Sequence, residues 1–142
     1  MDPKIKRKRK AKGITVKAKK KTAVARAVIR EGTGNVRINK RLLAVIEPAH
    51  VRSFIEEPLQ IAGEMGKRVN IFVTVHGSGY MSQAVAARSC IAKALVAFSK
   101  DEKLRQDMLE YDRMLLVDDV RRKESKKQLG PGARRKKQKS KR

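Results

Sequence analysis

The positive charge of this chain lies mainly at its two ends, and this distribution restricts a folded domain to the middle of the sequence. Residues 1–24 carry 11 Lys or Arg against one acidic residue, and residues 121–142 carry 12 against one. The 96 residues between them carry 14 against 12, so the net charge of +23 divides into +10, +2 and +11. Because runs of like charge repel and stay solvated, we predict a basic arm over 1–21, one folded domain of roughly 100 residues over 22–120, and an extended basic tail over 121–142.

Two basic ends on a nearly neutral domain are typical of proteins that bind a polyanion. Membrane attachment would need an apolar face or a lipidation site besides charge. No segment approaches the roughly 20 apolar residues of a membrane span, so we expect a soluble protein. The single cysteine, Cys90, excludes an internal disulfide framework and a CxxC site and favours a reducing intracellular compartment. Nucleic acid is therefore the predicted partner, with no membrane and no cofactor.

The apolar residues predict four strands. The first predicted strand, 22–31, alternates small apolar side chains with larger or charged ones, which is typical of a half-buried strand. Gly32–Asn35 supplies turn residues, so the second strand is predicted to return beside the first as a hairpin. The third predicted strand, 69–75, has the strongest strand pattern of the chain and is expected at the centre of the sheet. Residues 1–21 show no apolar period and are predicted to be disordered until bound. The predicted strands are 22–31, 36–39, 69–75 and 115–117.

Three helices are predicted from helical spacing and end signals. The first is expected to end before Pro58. The second places Ala84, Ala87, Ile91, Ala94, Leu95 and Phe98 on one face, which we expect to pack on the sheet. Ser99 and Glu102 have capping-box spacing before the third, whose inner side would carry Leu104, Met108 and Tyr111. The predicted helices are 49–57, 81–98 and about 100–111.

Gly77-Ser78-Gly79 lies between a predicted strand and a predicted helix. Such a loop can bind a phosphate through its backbone N–H groups and the positive end of the helix. It lacks the GK[ST] of a P-loop and the third glycine of a dinucleotide fingerprint. A simple strand-to-helix turn and a contact with an RNA phosphate both remain open.

Other residues with chemical potential have simpler interpretations. Arg88 lies close to an apolar helix stripe, where it would either snorkel to solvent or reach a phosphate beyond the glycine loop. For Asp118-Asp119, salt bridges to Arg121 or Arg122 are favoured over a metal site, because no further acidic residue nearby completes a ligand set. The set His50, His76 and Cys90 suggests no catalytic arrangement.

Four groups of residues follow the order of a known family. They are Lys19–Arg26; Gly32–Gly34 with Val36–Asn39; Val75–Gly79 with Ser82–Ala84 and Ala87–Arg88; and Asp119, Arg121 and Glu124–Lys127 with Ser140–Arg142. Over about residues 19–142 this order resembles the universal S9 family of small-subunit ribosomal proteins, in its archaeal branch. The resemblance implies an α+β domain with a four-stranded mixed sheet backed by helices and a left-handed βαβ crossover.

The same resemblance implies a cytoplasmic, non-enzymatic protein in the head of the small ribosomal subunit, on 16S-type rRNA and beside other head proteins. The family's C-terminal tail reaches the anticodon stem-loop of the P-site tRNA, which assigns tRNA contacts to Ser140, Lys141 and Arg142. Residues 1–18 lie outside the motifs and are interpreted as a further RNA-binding arm. Contacts with rRNA are assigned to Lys19, Lys20, Lys21, Arg26, Gly77, Ser78, Gly79, Gln83, Arg88, Arg121, Arg122, Lys126, Lys127, Arg134, Arg135, Lys136, Lys137 and Lys139.

Binding by basic tails predicts a strong salt dependence. About ten phosphate contacts would give a log–log salt slope of roughly −7 to −9. An aromatic content of 4% argues against base stacking as the main source of affinity and favours recognition of RNA shape and backbone. Two alternatives remain: a general nucleic-acid packaging or chaperone protein, and a small phosphotransfer enzyme using the Gly77–Gly79 loop. We expect no small-molecule substrate and no metal.

Overall fold

A computed structural model describes residues 13–137. Within this range five strands form one sheet in the order β1-β2-β5-β3-β4, and helices pack on one of its faces. The predicted α+β class, a mixed sheet backed by helices, is confirmed, with five strands in place of four. The elements are β1 (Ile14–Lys20), β2 (Ala23–Glu31), β3 (Val36–Ile38), β4 (Arg41–Leu42), α1 (Ala49–Ala62), α2 (Glu64–Lys67), β5 (Val69–His76), α3 (Tyr80–Ser99) and α4 (Glu102–Tyr111), with 3₁₀ turns at Leu43–Val45 and Arg113–Leu115.

Strand β1 corrects the prediction of disorder until binding for residues 14–20; the same prediction for residues 1–12 lies outside the described residues. From Ile14 to Lys20 the chain pairs antiparallel with β2 along its whole length. Val16 and Ala18 turn toward the helices, and Ala18 is fully buried. A strand with one solvated face needs an apolar residue only at every second position, and the intervening lysines concealed this alternation. The ordered domain therefore begins before residue 22.

The second strand does not form the predicted hairpin with the first. β2 occupies 23–31 as expected, but β3 pairs in parallel with β5, which lies between β2 and β3. The loop after β2 passes around Asn70 at the start of β5, whose Oδ1 accepts hydrogen bonds from the backbone N–H groups of Thr33 and Asn35, both at 3.0 Å. β5 therefore pairs with β2 along one edge and with β3 along the other, and it separates the two strands.

The central position of β5 is confirmed. The chain reaches it from the parallel strand β3 through β4, a 3₁₀ turn, α1 and α2. The left-handed sense of this crossover stays a prediction. Helix α1 continues through Pro58 to Ala62, which corrects its predicted end. Proline cannot donate the helical hydrogen bond, but Pro58 is fully buried beside Val51 and Ile55, and this packing favours continuation until Gly63, at φ +53°.

Helix α3 is confirmed over its predicted length and forms the centre of the molecule. The predicted inner face is buried, with Phe98 half-buried, but so are Ala86, Ser89, Cys90 and Ala92 on other sides. The helix contacts β1, β2 and β5 on one side and α1 and α4 on the other. Its small side chains permit this close approach from several directions. Among residues 13–137, none of the helices has the length and apolar character needed to cross a membrane.

The third predicted helix is present as α4, and its N-cap residue is Asp101. Asp101 caps it by accepting from the Lys103 N–H at 3.0 Å, in place of the predicted Ser99. Leu104 and Met108 are buried as expected, whereas Tyr111 is exposed. The predicted strand at 115–117 is wrong: Asp112 accepts from the Met114 N–H and begins a 3₁₀ turn, so burial of Leu115 does not require strand pairing.

Candidate nucleic-acid interface

The glycine loop after β5 lies directly against the turn between β1 and β2. Gly77 has φ +84°, and a Cβ added there would lie 2.4 Å from the Thr22 carbonyl oxygen. The side-chain amide of Gln83 donates to the Gly77 carbonyl at 3.1 Å, which connects the loop to the first turn of α3. Two segments of the predicted interface, the Lys20–Thr22 turn and the Gly77–Gly79 loop, therefore meet at one end of the sheet.

Helix α3 begins at this loop with uncapped backbone groups. Gly79 is the N-cap residue, and no side chain in the described part of the chain caps this end. The first N–H groups of a helix lack intrahelical partners and carry partial positive charge. Gly77, Ser78 and Gly79 are exposed around them. The arrangement can receive an anionic oxygen, and the basic Lys21 of the adjoining turn is also exposed.

Arg88 does not reach solvent, which corrects its assignment to a phosphate contact. It is 5% exposed and lies between two carboxylates, with Glu57 Oε2 at 2.5 Å and Asp112 Oδ2 at 2.7 Å. Its guanidinium also stacks over the Phe54 ring, 4.4 Å from the centroid. Burial alone would raise the pKa of Asp112, but the Met114 N–H and Arg88 outweigh it and hold that pKa below its ordinary value. Arg88 therefore joins α1, α3 and the end of α4.

The acid pair forms the predicted salt bridge and two others. Asp119 binds Arg121 at 2.8 Å and also contacts the Lys20 ammonium, 99 residues away. Asp118 binds Lys93 at 2.6 Å. The side-chain hydrogen bonds from Arg121 and Lys20 hold the pKa of Asp119 far below its ordinary value. This cluster, which we call the tail clamp (Lys20, Lys93, Asp118, Asp119 and Arg121), fixes the point where the C-terminal segment leaves the domain.

A cavity of about 240 Å³ collects several of the predicted residues. Its lining includes Lys19, Lys20, Arg88 and Arg121, together with the carboxylates of Asp112 and Asp119. The sequence thus identified residues that the fold brings together, but three of these four cations are paired with acids. Their ion pairs hold the tail and α3 in place, and the cations best able to bind an anion are those that have no carboxylate partner.

Lys19 and Arg26 are two such cations. Both are exposed, and the β1–β2 register directs them to the face of the sheet opposite the helices. Lys17 and Arg37 are exposed on the same face and were missed by the sequence analysis. The signal that could have found Lys17 is the alternation of lysines with Val16 and Ala18 in β1.

The C-terminal segment has no helix or strand from Arg121 to Lys137. All of its Lys and Arg side chains are exposed, which includes the predicted Arg122, Lys126, Lys127, Arg135, Lys136 and Lys137. Arg134 contacts Glu124 at 3.0 Å, so the segment turns back on itself there. The predicted contacts at Lys139, Ser140, Lys141 and Arg142 lie outside the described residues.

The candidate catalytic residues lie on three different elements. His50 is exposed on α1 and His76 is exposed at the end of β5. Cys90 is buried in α3, where desolvation raises the pKa of its thiol to about 11. Such a thiol is a poor nucleophile at neutral pH. Within residues 13–137, no three His, Cys, Asp or Glu side chains converge in a way that could hold a metal ion.

Comparison with known proteins extends these observations. The family model described as Ribosomal protein S9/S16 matches residues 18–142. The chain is 45% identical over 122 residues to the small ribosomal subunit protein uS9 of Picrophilus torridus. The aligned residues make up 86% of this chain and 92% of the relative. The protein of the same name from Methanothrix thermoacetophila is 46% identical over 129 residues (91% and 98%), and that from Halobacterium salinarum is 48% identical over 123 (86% and 93%).

Proposed function

The chain belongs to the ribosomal protein S9/S16 family, and from this premise we propose that it is a structural, non-enzymatic constituent of the small ribosomal subunit in the cytoplasm. In this role it binds small-subunit rRNA of the 16S type and lies beside other proteins of the subunit head. The folded domain, which includes β1, positions the contacts, and the basic residues before β1 and the tail over 121–142 extend them.

The observation that carries this proposal is the exposed basic segment that follows the tail clamp. Of the Lys and Arg side chains from Arg122 to Lys137, Arg134 alone forms an ion pair with a carboxylate of residues 13–137. Cations without partners bind phosphates at lower cost, because no salt bridge has to be broken. Lys21 and the Gly77–Gly79 loop add a second site at the end of the sheet where an anion can bind.

The last three residues, Ser140, Lys141 and Arg142, are proposed to contact the anticodon stem-loop of the P-site tRNA, as the family resemblance implies. Deleting them should leave folding and subunit assembly unchanged and weaken P-site tRNA binding, measured on purified small subunits. The matched control K126Q/K127Q removes the same number of charges from the tail base and should weaken rRNA retention in high salt instead. Loss of assembly on deletion would assign the tail end to rRNA packing.

The first experiment is fractionation of source cells on a sucrose gradient, with quantitative mass spectrometry of the chain across the fractions. The proposal requires co-migration with small subunits at about one copy per particle, surviving a high-salt wash. The alternative, a general nucleic-acid packaging or chaperone protein, predicts dispersal over free and bulk nucleic-acid fractions at no defined stoichiometry. That result would contradict the ribosomal assignment.

A further inference from the structure

The sheet has one face that the helices leave uncovered. Alternate side chains of β2 and β5 are buried against the helices, and those between them point the other way. Strand register places Lys17 of β1 beside Arg26 of β2, Val28 beside Phe72 of β5, and Phe72 beside Arg37 of β3. We call this surface the open face, defined by Lys17, Lys19, Arg26, Val28, Arg37 and Phe72.

The charge of the open face is uncompensated. No carboxylate of residues 13–137 forms an ion pair with Lys17, Lys19, Arg26 or Arg37. Lys17 and Arg26 are direct cross-strand neighbours in an antiparallel pair, where like charges destabilise a sheet. This arrangement is unfavourable for the isolated protein and becomes favourable when an anionic ligand neutralises it. The open face is therefore complementary to a polyanion.

Phe72 distinguishes this surface from a simple basic patch. Its side chain is 41% exposed at the centre of the sheet, whereas Phe54 and Phe98 pack against the core. Its cross-strand neighbours are Val28 on one side and Arg37 on the other, and Arg26 lies diagonally across from it. An exposed ring flanked by guanidinium groups can stack with a nucleic-acid base while the cations bind the adjoining phosphates.

We propose that an unpaired stretch of small-subunit rRNA crosses the open face, with one base stacked on Phe72 and neighbouring phosphates bound by Lys17, Arg26 and Arg37. The inference rests on the proposed function and specifies where and how the domain itself contacts rRNA. An unpaired strand is required because the bases of a duplex are already stacked on one another. The chain's low aromatic content restricts this mode to a single base, and phosphate contacts supply the remaining affinity.

The size of the open face suits such a strand. From β1 to β3 the sheet spans three inter-strand spacings of ~4.8 Å each, about 14 Å in all. Four-stranded sheets of other RNA-binding domains accommodate two or three stacked bases. Cations on β1, β2 and β3 surround the ring on β5, so a strand centred on Phe72 meets positive charge on both sides.

Two variants separate base stacking from phosphate contacts. The affinity of the full chain for a small-subunit rRNA transcript is measured at several salt concentrations. F72L keeps an apolar side chain and removes the ring, so it should weaken binding about tenfold with an unchanged log–log salt slope. K17Q/R26Q/R37Q should reduce the magnitude of the slope by about 2, since each phosphate contact on a single strand contributes roughly 0.7. The control K67Q/K103Q/R105Q removes three exposed charges from the helical side and should leave the slope unchanged.

Cross-linking in assembled small subunits identifies the occupant. Ultraviolet irradiation should attach a nucleotide to Phe72, detected by mass spectrometry of the tryptic peptide 69–88. A carbodiimide cross-link joining Lys17 to a carboxylate of a neighbouring protein would overturn the proposal in favour of protein docking. Wild-type affinity and slope for both variants, in a protein that assembles at full occupancy, would also overturn it. Failure of the wild-type chain to assemble at all would instead contradict the proposed function.

Discussion

Arg88 shows at the level of a single residue how burial changes the role of a charge. It lies within an alanine-rich helix, and its guanidinium pairs with Glu57 of α1 and with Asp112 at the end of α4. A buried cation with two carboxylate partners is strongly coupled to them, since removing it leaves their charges poorly solvated. Its contribution is therefore to the packing of three helices.

Substituting Arg88 should destabilise the fold. R88M keeps the length and removes the charge, so Glu57 and Asp112 lose their shared partner, and the free energy of unfolding should fall by about 3 kcal/mol in urea denaturation. The exposed control R105M, which loses one surface pair with Glu102, should change it by less than about 0.5 kcal/mol. Unchanged stability with weaker rRNA binding would restore the phosphate role.

The tail clamp should make stability depend on pH at the acidic end. The pKa of Asp119 is lowered from its ordinary 3.8 by Arg121 and Lys20, so the folded state favours the ionised carboxylate. This contribution is complete above the unfolded pKa and is lost as pH falls below about 4. In urea denaturation between pH 7 and pH 2, D119N should be less stable than wild type at pH 7, with the difference shrinking toward pH 2. The exposed control D107N should show no such convergence.

At the level of elements, the glycine loop depends on close backbone approach. Gly77 combines a positive φ with contact against the β1–β2 turn, whereas Gly79 has φ −88° and nothing within 4 Å of an added Cβ. The two glycines thus have different physical reasons for their positions. Gly77 permits the loop to close on the sheet, and Gly79 leaves the helix end open.

The pair gives a matched test. G77A should lower the free energy of unfolding by about 2 kcal/mol, because the new methyl group meets the Thr22 carbonyl and the positive φ is strained for alanine. G79A should cost less than about 1 kcal/mol, the loss of a moderately good N-cap residue. Thermal or urea unfolding of both variants measures the difference. Equal effects would contradict the close approach of the loop to the turn.

At the scale of the whole molecule, the dominant property is the concentration of positive charge at the two ends of the chain. The nearly neutral middle provides most of a core of branched apolar side chains and alanines, to which β1 adds Ala18, and the ends supply most of the cations. The clamp joins both basic segments at one point, because Lys20 of β1 and Arg121 of the tail contact the same carboxylate. The ends of β1 and of the folded domain therefore lie side by side.

Affinity for small-subunit rRNA should respond steeply to salt. About ten phosphate contacts predict a log–log slope of roughly −7 to −9, measured by filter binding between 50 and 300 mM monovalent salt at about 25 °C. Removing two tail cations with K126Q/K127Q should reduce its magnitude by about 1.5. A slope near −2 for the wild type would contradict binding through the basic ends.

Long periodic patterns were sufficient to predict β2, β5 and α3 within a residue or two, because each pattern repeats over several turns or pleats. The glycine loop and the Asp119–Arg121 salt bridge were also predicted, since both are local in sequence. Strand β1 was missed because lysines obscured its alternation. The role of Arg88 was missed because its partners, Glu57 and Asp112, lie 31 and 24 residues away.

The sequence alone determined the concentration of charge at the two ends and most of the helices and strands, because charge and hydrophobic periodicity are local properties of a chain, and the family resemblance added the α+β class. Only the tertiary structure decided that β5 separates β2 from β3, that Lys20 meets Asp119, and that Phe72 lies on an uncovered basic face. Each of these depends on which distant segments pack together. That choice is made by burial and hydrogen bonding across the whole domain, which no local pattern records.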